Sequence, residues 1–275
     1  MGRDYLIRLY FIDISIKIKI KLGGFMKSKE NYQKNRLLAG AVILASCFAL
    51  YTAYKTHCDD YNQAIHPDIP TRVSTDKEVF TKIYEKKVWG KWSGPEVPKD
   101  EQGRHPFIDY LQEFISTHNI STIIDMGCGY GELLKDLNLP EHTTYLGLDI
   151  VDSVIAYNKL HYERSNVVYD TVNDVKDLSK YKGDLLILKD VIQHWSIDKI
   201  IYAKDHILPN FRYAIIVNNI YFPNLGPVNS EIKTGNSRPL NLEISPFYMK
   251  LKVVKDYKAT PPRVKRIYLY ENDKY

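Results

Sequence analysis

IIDMGCGYG, residues 123–131, decides the fold: a short apolar run closes on Asp125, and Gly127, Gly129 and Gly131 follow at alternate positions. Glycines placed where a strand ends let backbone N–H groups come close to a ligand. A nicotinamide loop of the form GxGxxG wants its third glycine where Glu132 stands, and it wants a pyrophosphate at the N-terminus of the next helix. Asp125 beside such a site repels a pyrophosphate and attracts an ammonium group. The stretch therefore predicts a loop for a ligand that carries positive charge and no phosphate.

Working outward, apolar and polar runs alternate as strand 121–126, helix 131–138, strand 143–150, helix 152–162, strand 166–170, strand 184–189, helix 196–207 and strand 212–218. Alternation of that kind predicts an α/β fold, a Rossmann-like doubly wound and mostly parallel sheet with crossover helices. Two amphipathic helices, 76–89 and 106–118, precede it, with Val79, Ile83 and Tyr84 in one stripe and Phe107, Leu111 and Phe114 in the other. FYMKLKVVKDY and RVKRIYLYEN, separated by Pro261 and Pro262, predict a C-terminal antiparallel strand pair. Residues 219–246 form a long polar segment rich in Asn, Pro and Gly, and loops of that length are more often functional than idle.

With those elements in place, IIDMGCGYG resembles the first motif of the class I S-adenosylmethionine-dependent methyltransferases, of the form D/E-x-G-x-G-x-G. That resemblance implies S-adenosylmethionine as cofactor, with Asp125, Gly127, Gly129 and Gly131 at its methionine end. YLGLDI, residues 145–150, resembles the second motif, which places Asp149 on the ribose hydroxyls with Ile150 beside it. TVNDV, residues 171–175, resembles the adenine-contacting motif and implies Asp174 for the exocyclic amine and Val175 against the ring. A narrower likeness joins KIYEKKVWGKWSGPE, LLILKDVIQHWS and SRPLNLEISPF to a poorly characterised group of methyltransferases associated with glycan assembly. Members tend to carry SGpGS, GCGDW, kDVlqHls and RPLDL. This chain departs from them at Glu96, Val97, Tyr130, Gly131 and Asn241.

Methyl transfer to a hydroxyl needs alignment and benefits from a base near working pH. Strand 184–189 ends in Lys189 and Asp190, then Gln193 and His194, at the sheet edge where ligands sit. His194 is the first candidate base. Asp190 is the second catalytic candidate, either as base or as the group that orients the hydroxyl. Lys189 and Arg238 are candidates for holding an acidic or polyhydroxylated acceptor, a small molecule or glycan. Trp89, Trp92 and Trp195 offer faces for a sugar ring, although tryptophans most often serve packing. A non-catalytic cofactor-binding or structural subunit is the alternative from another class.

Composition bounds the rest. Lys and Arg number 38 against 33 Asp and Glu, a formal charge of +5, part of it before residue 37. There is no basic stripe and no NPPY-type motif, so no nucleic-acid partner is expected. Cys47, Cys58 and Cys128 lack metal-ligand spacing, so no metal is expected either. LLAGAVILASCFALYTAY, residues 37–54, is eighteen residues without a charge and predicts a single transmembrane signal anchor. A cleaved signal peptide and a buried helix are the competing readings. The expected organisation is a basic segment 1–36, anchor 37–54, linker 55–75 and methyltransferase domain 76–275. Lys27, Lys29, Lys34 and Arg36 before the anchor put the domain outside the cytoplasm, opposite to where the cofactor is made.

Overall fold

Thr75 starts helix α1 (Asp76–Glu85) through a reciprocal cap: its side chain accepts the Glu78 N–H while the Glu78 carboxylate takes the Thr75 N–H. Asp76 and Glu78 also set negative charge at the positive end of the helix. Helix α1 stops four residues short of the expected Trp89. Lys87, in the left-handed region at φ 51°, turns the chain so that Val88 and Trp89 pack back against Val79, Phe80 and Ile83. A second helix, α2 (Pro106–Thr117), begins on a proline, whose fixed φ suits a first helical position, and buries Phe107, Leu111 and Phe114.

The computed structural model describes residues 45–46, 48–49, 51–53, 56, 75–90, 106–221, 226–259 and 263–275. The chain divides into two units, residues 1–57 and 58–275. In the first unit the described residues are helical. Most of the expected anchor 37–54 lies outside the described residues, as do residues 1–36, most of the linker, Trp92, and Glu96 and Val97. Among the described residues no helix is long and apolar enough to cross a membrane.

Seven strands form one sheet: β1 (Thr122–Met126), β2 (Thr144–Asp149), β3 (Val167–Thr171), β4 (Gly183–Lys189), β5 (Phe211–Tyr221), β6 (Lys252–Lys258) and β7 (Val264–Glu271). Their order is β3-β2-β1-β4-β5-β7-β6. The first five run parallel, and β7 inserts antiparallel between β5 and β6. The expected terminal pair therefore exists, with the later strand of the two joined to the sheet. Lysines dominate exposed β6, which discourages pairing at that open edge.

Helix α3 (Asp152–Tyr162) follows β2, and α4 (Ile197–His206) follows β4. Side chains alternate across the sheet, and both faces are covered. Ile124, Leu186, Leu188 and Ile216 belong to one core with Ile200 and Ala203 of α4. Ile123, Leu185, Ile187 and Val217 belong to the other with Phe107, Leu111 and Phe114 of α2. The expected helix 131–138 is instead a four-residue 3-10 turn, Glu132–Lys135. Asp136 and Asn138 favour turns and Pro140 cannot continue a helix, so the segment ends early. Residues 226–251 form no regular element, yet Leu240, Leu242 and Phe247 in them are fully buried.

Candidate functional site

Strand order reverses between β1 and β4, and the cleft over their C-terminal ends is where an open α/β sheet receives ligands. An open cleft of about 580 Å³ lies there, lined from the sheet side by Gly127, Asp149, Ile150, Val175 and Asp190. His194 and Trp195 form one wall, and Asp76, Phe80, Tyr84 and Trp89 form the roof.

The glycine loop is held tightly. Gly127 sits at φ 71°, and a Cβ there would lie 2.4 Å from Val191 Cγ2. The Gly127 and Cys128 N–H groups both donate to Leu148 O, at 2.7 and 3.0 Å. Gly129 donates its N–H to Asp149 Oδ2 at 3.1 Å, and Val151 donates to Oδ1 at 3.0 Å. From α3, fully buried Asn158 donates Nδ2 to Gly129 O at 2.6 Å. Burial raises the Asp149 carboxyl to about 6, against the lowering effect of these backbone donors.

Asp125 stands elsewhere than expected. It is 4% exposed and accepts the Tyr145 hydroxyl at 2.6 Å, beneath the cleft rather than in its wall. Burial raises its carboxyl to about 6 as well, with the Tyr145 bond opposing. Direct pairing of Asp125 with a ligand ammonium is thus corrected: the carboxylates in the cleft lining are Asp76, Asp149 and Asp190. No lysine or arginine is among the lining residues, and four aromatic residues are. Acidic and aromatic walls suit a cationic ligand.

Gly129 and Gly131 shape the loop without lining the cleft. Asp174 caps the 3-10 turn Val175–Lys180 by accepting the Lys176 N–H at 2.9 Å, which leaves Val175 as the cleft-lining member of that pair.

Asp190 adopts a left-handed φ of 61°, uncommon for a residue with a Cβ. Its Oδ2 accepts from Lys189 Nζ at 3.0 Å and from Lys265 Nζ of β7, while buried Oδ1 has no hydrogen-bond partner. Burial alone would raise the Asp190 carboxyl, but the Lys265 and Lys189 ammonium groups outweigh it and hold it well below the usual carboxylate range. A group so reluctant to take a proton is a poor base, so Asp190 as base is corrected to Asp190 as a fixed hydrogen-bond acceptor. Lys265 is itself lowered to about 8 by burial, with Asp190 opposing.

His194 is buried against the Trp89 ring, with centroids 4.7 Å apart and planes at 27°. Its Nδ1 lies 2.9 Å from Asn236 O and 3.0 Å from Ser237 Oγ. A carbonyl only accepts, so the neutral ring carries its proton on Nδ1 and presents Nε2 as the basic nitrogen. Gln193 Nε2 lies 3.4 Å from that nitrogen. Arg238, read from sequence as a loop donor for substrate, is instead 0% exposed, with Nη1 donating to Trp195 O at 2.6 Å. A long loop does not by itself place its side chains in solvent, and here Arg238, Leu240 and Leu242 are all fully buried.

Helix α1 was the element whose role the sequence hid. Asp76, Phe80 and Tyr84, spaced four apart, lie along one face that roofs the cleft. Asp76 pairs with Lys199 of α4, and Lys77 pairs with Asp152 of α3 at 2.8 Å. That spacing was visible in sequence, but the Val79 and Ile83 stripe dominated the pattern. Among the described residues no group of three or more His, Cys, Asp or Glu is placed to hold a metal ion.

Residues 124–204 match a family described as a methyltransferase domain. No curated protein matches the chain. Solved structures resembling it include magnesium protoporphyrin IX methyltransferase from Synechocystis PCC 6803 with bound SAH, at 12% identity and TM-score 0.49, covering 72% of this chain and 100% of that one. Human N-acetylserotonin methyltransferase in complex with SAM is 16% identical with TM-score 0.45, covering 78% of this chain and 66% of that one. WbdD is 14% identical with TM-score 0.48, covering 66% of this chain and 42% of that one. The matched segment carries Gly127, Asp149, Ile150 and Val175, and the cofactor is S-adenosylmethionine.

Proposed function

We propose that this chain transfers a methyl group from S-adenosylmethionine to a hydroxyl oxygen of a sugar or other small acceptor. One observation carries the reading: His194, its Nδ1 tied to Asn236 O, stands in the same cleft as Asp149 and Gly127. A base of fixed tautomer thereby lines the same cleft as the glycine loop and Asp149.

S-adenosylmethionine would supply an electrophilic methyl group whose sulfur leaves with the C–S electron pair. Asp149, its two oxygens already oriented by Gly129 and Val151, would hold the ribose hydroxyls. Val175 and Ile150, both in the cleft lining, would pack against the adenine. His194 Nε2 takes the proton that the acceptor hydroxyl loses, and Asp190 Oδ1 accepts a hydrogen bond that orients the acceptor. Phe80 and Tyr84 of α1, with Trp89, would cover the reacting groups from above.

Calorimetry tests the reading. Residues 58–275 should bind S-adenosylmethionine and S-adenosylhomocysteine (SAH), and preferential binding of NADH would overturn it. We also propose that residues 37–54 anchor the chain in a membrane as a single pass. Full-length protein should then pellet with membranes; protein that stays soluble without cleavage would remove the anchor.

A further inference from the structure

Arg238 holds a buried charge that the chain leaves half bound. Its Nη1 donates to Trp195 O at 2.6 Å and reaches Gln193 O at 3.4 Å, the two carbonyls that flank His194. Nε and Nη2 have no hydrogen-bond partner. In a guanidinium those two groups point their N–H bonds in parallel along one edge, the edge that takes a carboxylate or phosphate through two bonds at once. Burial lowers Arg238 to about 10, with Glu231 opposing, so the side chain remains a cation at neutral pH. Burying a cation without a counter-ion in contact is costly, and a half-used edge needs an explanation.

Other buried polar atoms at the C-terminal ends of β4 and β5 are also unpartnered. Asn218 at the tip of β5 is 0% exposed, and neither its amide nitrogen nor its amide oxygen is bonded. Asn219 Oδ1 and Asp190 Oδ1 are likewise unpartnered. Asn219 and Arg238 are linked through Gln193: the Asn219 N–H and Nδ2 donate to Gln193 Oε1 at 3.1 and 3.0 Å, and Arg238 Nη1 reaches Gln193 O. Leu240, two residues past Arg238, donates its N–H to Asn219 O at 2.8 Å.

Strand order says which part of a bound ligand these groups meet. Val175 follows β3, Asp149 ends β2 and Gly127 follows β1, so a cofactor laid from adenine through ribose to methionine runs toward β4. The acceptor must then approach from the β5 side, where Asn218, Asn219 and Arg238 lie. An apolar acceptor would leave every one of these groups unpaired, whereas an anionic polyol pairs them.

Resting on the methyltransferase reading above, we propose that the free edge of Arg238, with Asn218 and Asn219, forms an acceptor subsite, and that the acceptor is a hydroxylated molecule bearing a carboxylate or phosphate. The edge is covered in the ligand-free chain. Occupation requires the irregular segment 226–251 to yield, and that segment is held by loop bonds of side chain and backbone, such as Asn229 Nδ2 to Asn241 O at 2.7 Å and Met249 N–H to Leu242 O at 2.9 Å, rather than by a helix or strand.

Three sugars with one ring test this on SAH-saturated protein by calorimetry: D-glucuronate, D-glucose 6-phosphate and D-glucose. One anionic sugar should bind at least about tenfold tighter than glucose, and which one does so separates carboxylate from phosphate. Arg238→Lys keeps the cation but loses the edge, and should remove that preference with SAH affinity retained. Asn218→Leu replaces an unbonded buried amide by an apolar side chain of similar size, so it should melt at or above the wild-type temperature and still weaken the anionic sugar about tenfold. Lys252→Gln on exposed β6 should change neither. Equal binding of all three sugars overturns the proposal, as does an unchanged preference in Asn218→Leu or in a folded Arg238→Lys, which would mean that an internal water occupies the edge. Wild-type protein that fails to bind SAH would instead sink the methyltransferase reading.

Discussion

The Gly129 N–H donates to the Asp149 carboxylate at 3.1 Å, which ties the glycine loop to the end of β2 as one mechanical unit. Asp149 titrates near 6 because burial disfavours its charge. Below that pH the protonated carboxyl can no longer accept from two ribose hydroxyls, so SAH affinity should rise as pH increases from about 5 to 7. Stability of the free protein runs the other way. The folded carboxyl keeps a proton that the unfolded one, near 3.8, has lost, so this group makes the fold less stable as pH rises between those values. Calorimetric titration of wild type and Asp149→Asn checks the first part; an equally steep pH profile in the variant would show that another group controls binding.

Gly127→Ala tests the loop itself. A Cβ at this position meets Val191 Cγ2 at 2.4 Å, and φ 71° is unfavourable for alanine before any clash is counted. The backbone cost alone is about 1–2 kcal/mol. Both a lower melting temperature and a loss of SAH binding are expected. A variant of wild-type stability would mean that the loop relaxes freely.

Much of this site was legible because its backbone requirements are local. The glycines at 127, 129 and 131 and the strand-terminal Asp149 state their geometry in residue type and spacing. Longer-range partners left no such mark. Whether Asp125 faces a ligand depends on Tyr145, twenty positions away on the neighbouring strand, whose hydroxyl occupies it. Lys265 reaches Asp190 from a strand 75 positions later, and nothing in the pattern of β7 sets that lysine apart from its neighbours. Asn158 on α3 reads as an ordinary polar helix residue until its bond to Gly129 O is seen. Helix 131–138 failed for another reason: its apolar spacing fits a helix, but turn-forming residues close it after four.

Lys265→Met should uncover how much the pair with Asp190 matters. Asp190 loses one of two cations and keeps Lys189, and its side chain is 23% exposed, so the destabilisation should fall below the roughly 3–5 kcal/mol of a fully buried broken pair. Because the Asp190 carboxyl is depressed, the stabilisation from this pair is present above the ordinary carboxylate range and is lost only as pH falls into strong acid. Adding Asp190→Asn should recover part of the loss, since the uncompensated charge is then gone. Denaturant unfolding of the two single variants and the double variant measures the coupling; strict additivity would mean that the contact contributes nothing.

The proton transfer assigned to His194 is the most demanding prediction. Asn236 O and Ser237 Oγ both lie at Nδ1, which in the neutral ring leaves Nε2 as the basic nitrogen. His194→Ala should lower turnover about 100-fold or more, because general-base help is realised in the transition state. The ring also packs on Trp89, so some loss of cofactor affinity is expected from the altered roof. Ser237→Ala separates the two roles. It leaves the Trp89 contact intact while removing one partner of Nδ1, so it should shift the pH dependence of turnover with SAH affinity unchanged. A collapse of SAH affinity in His194→Ala, with turnover in Ser237→Ala indistinguishable from wild type at every pH, would reduce His194 to a packing residue and leave the acceptor proton to solvent.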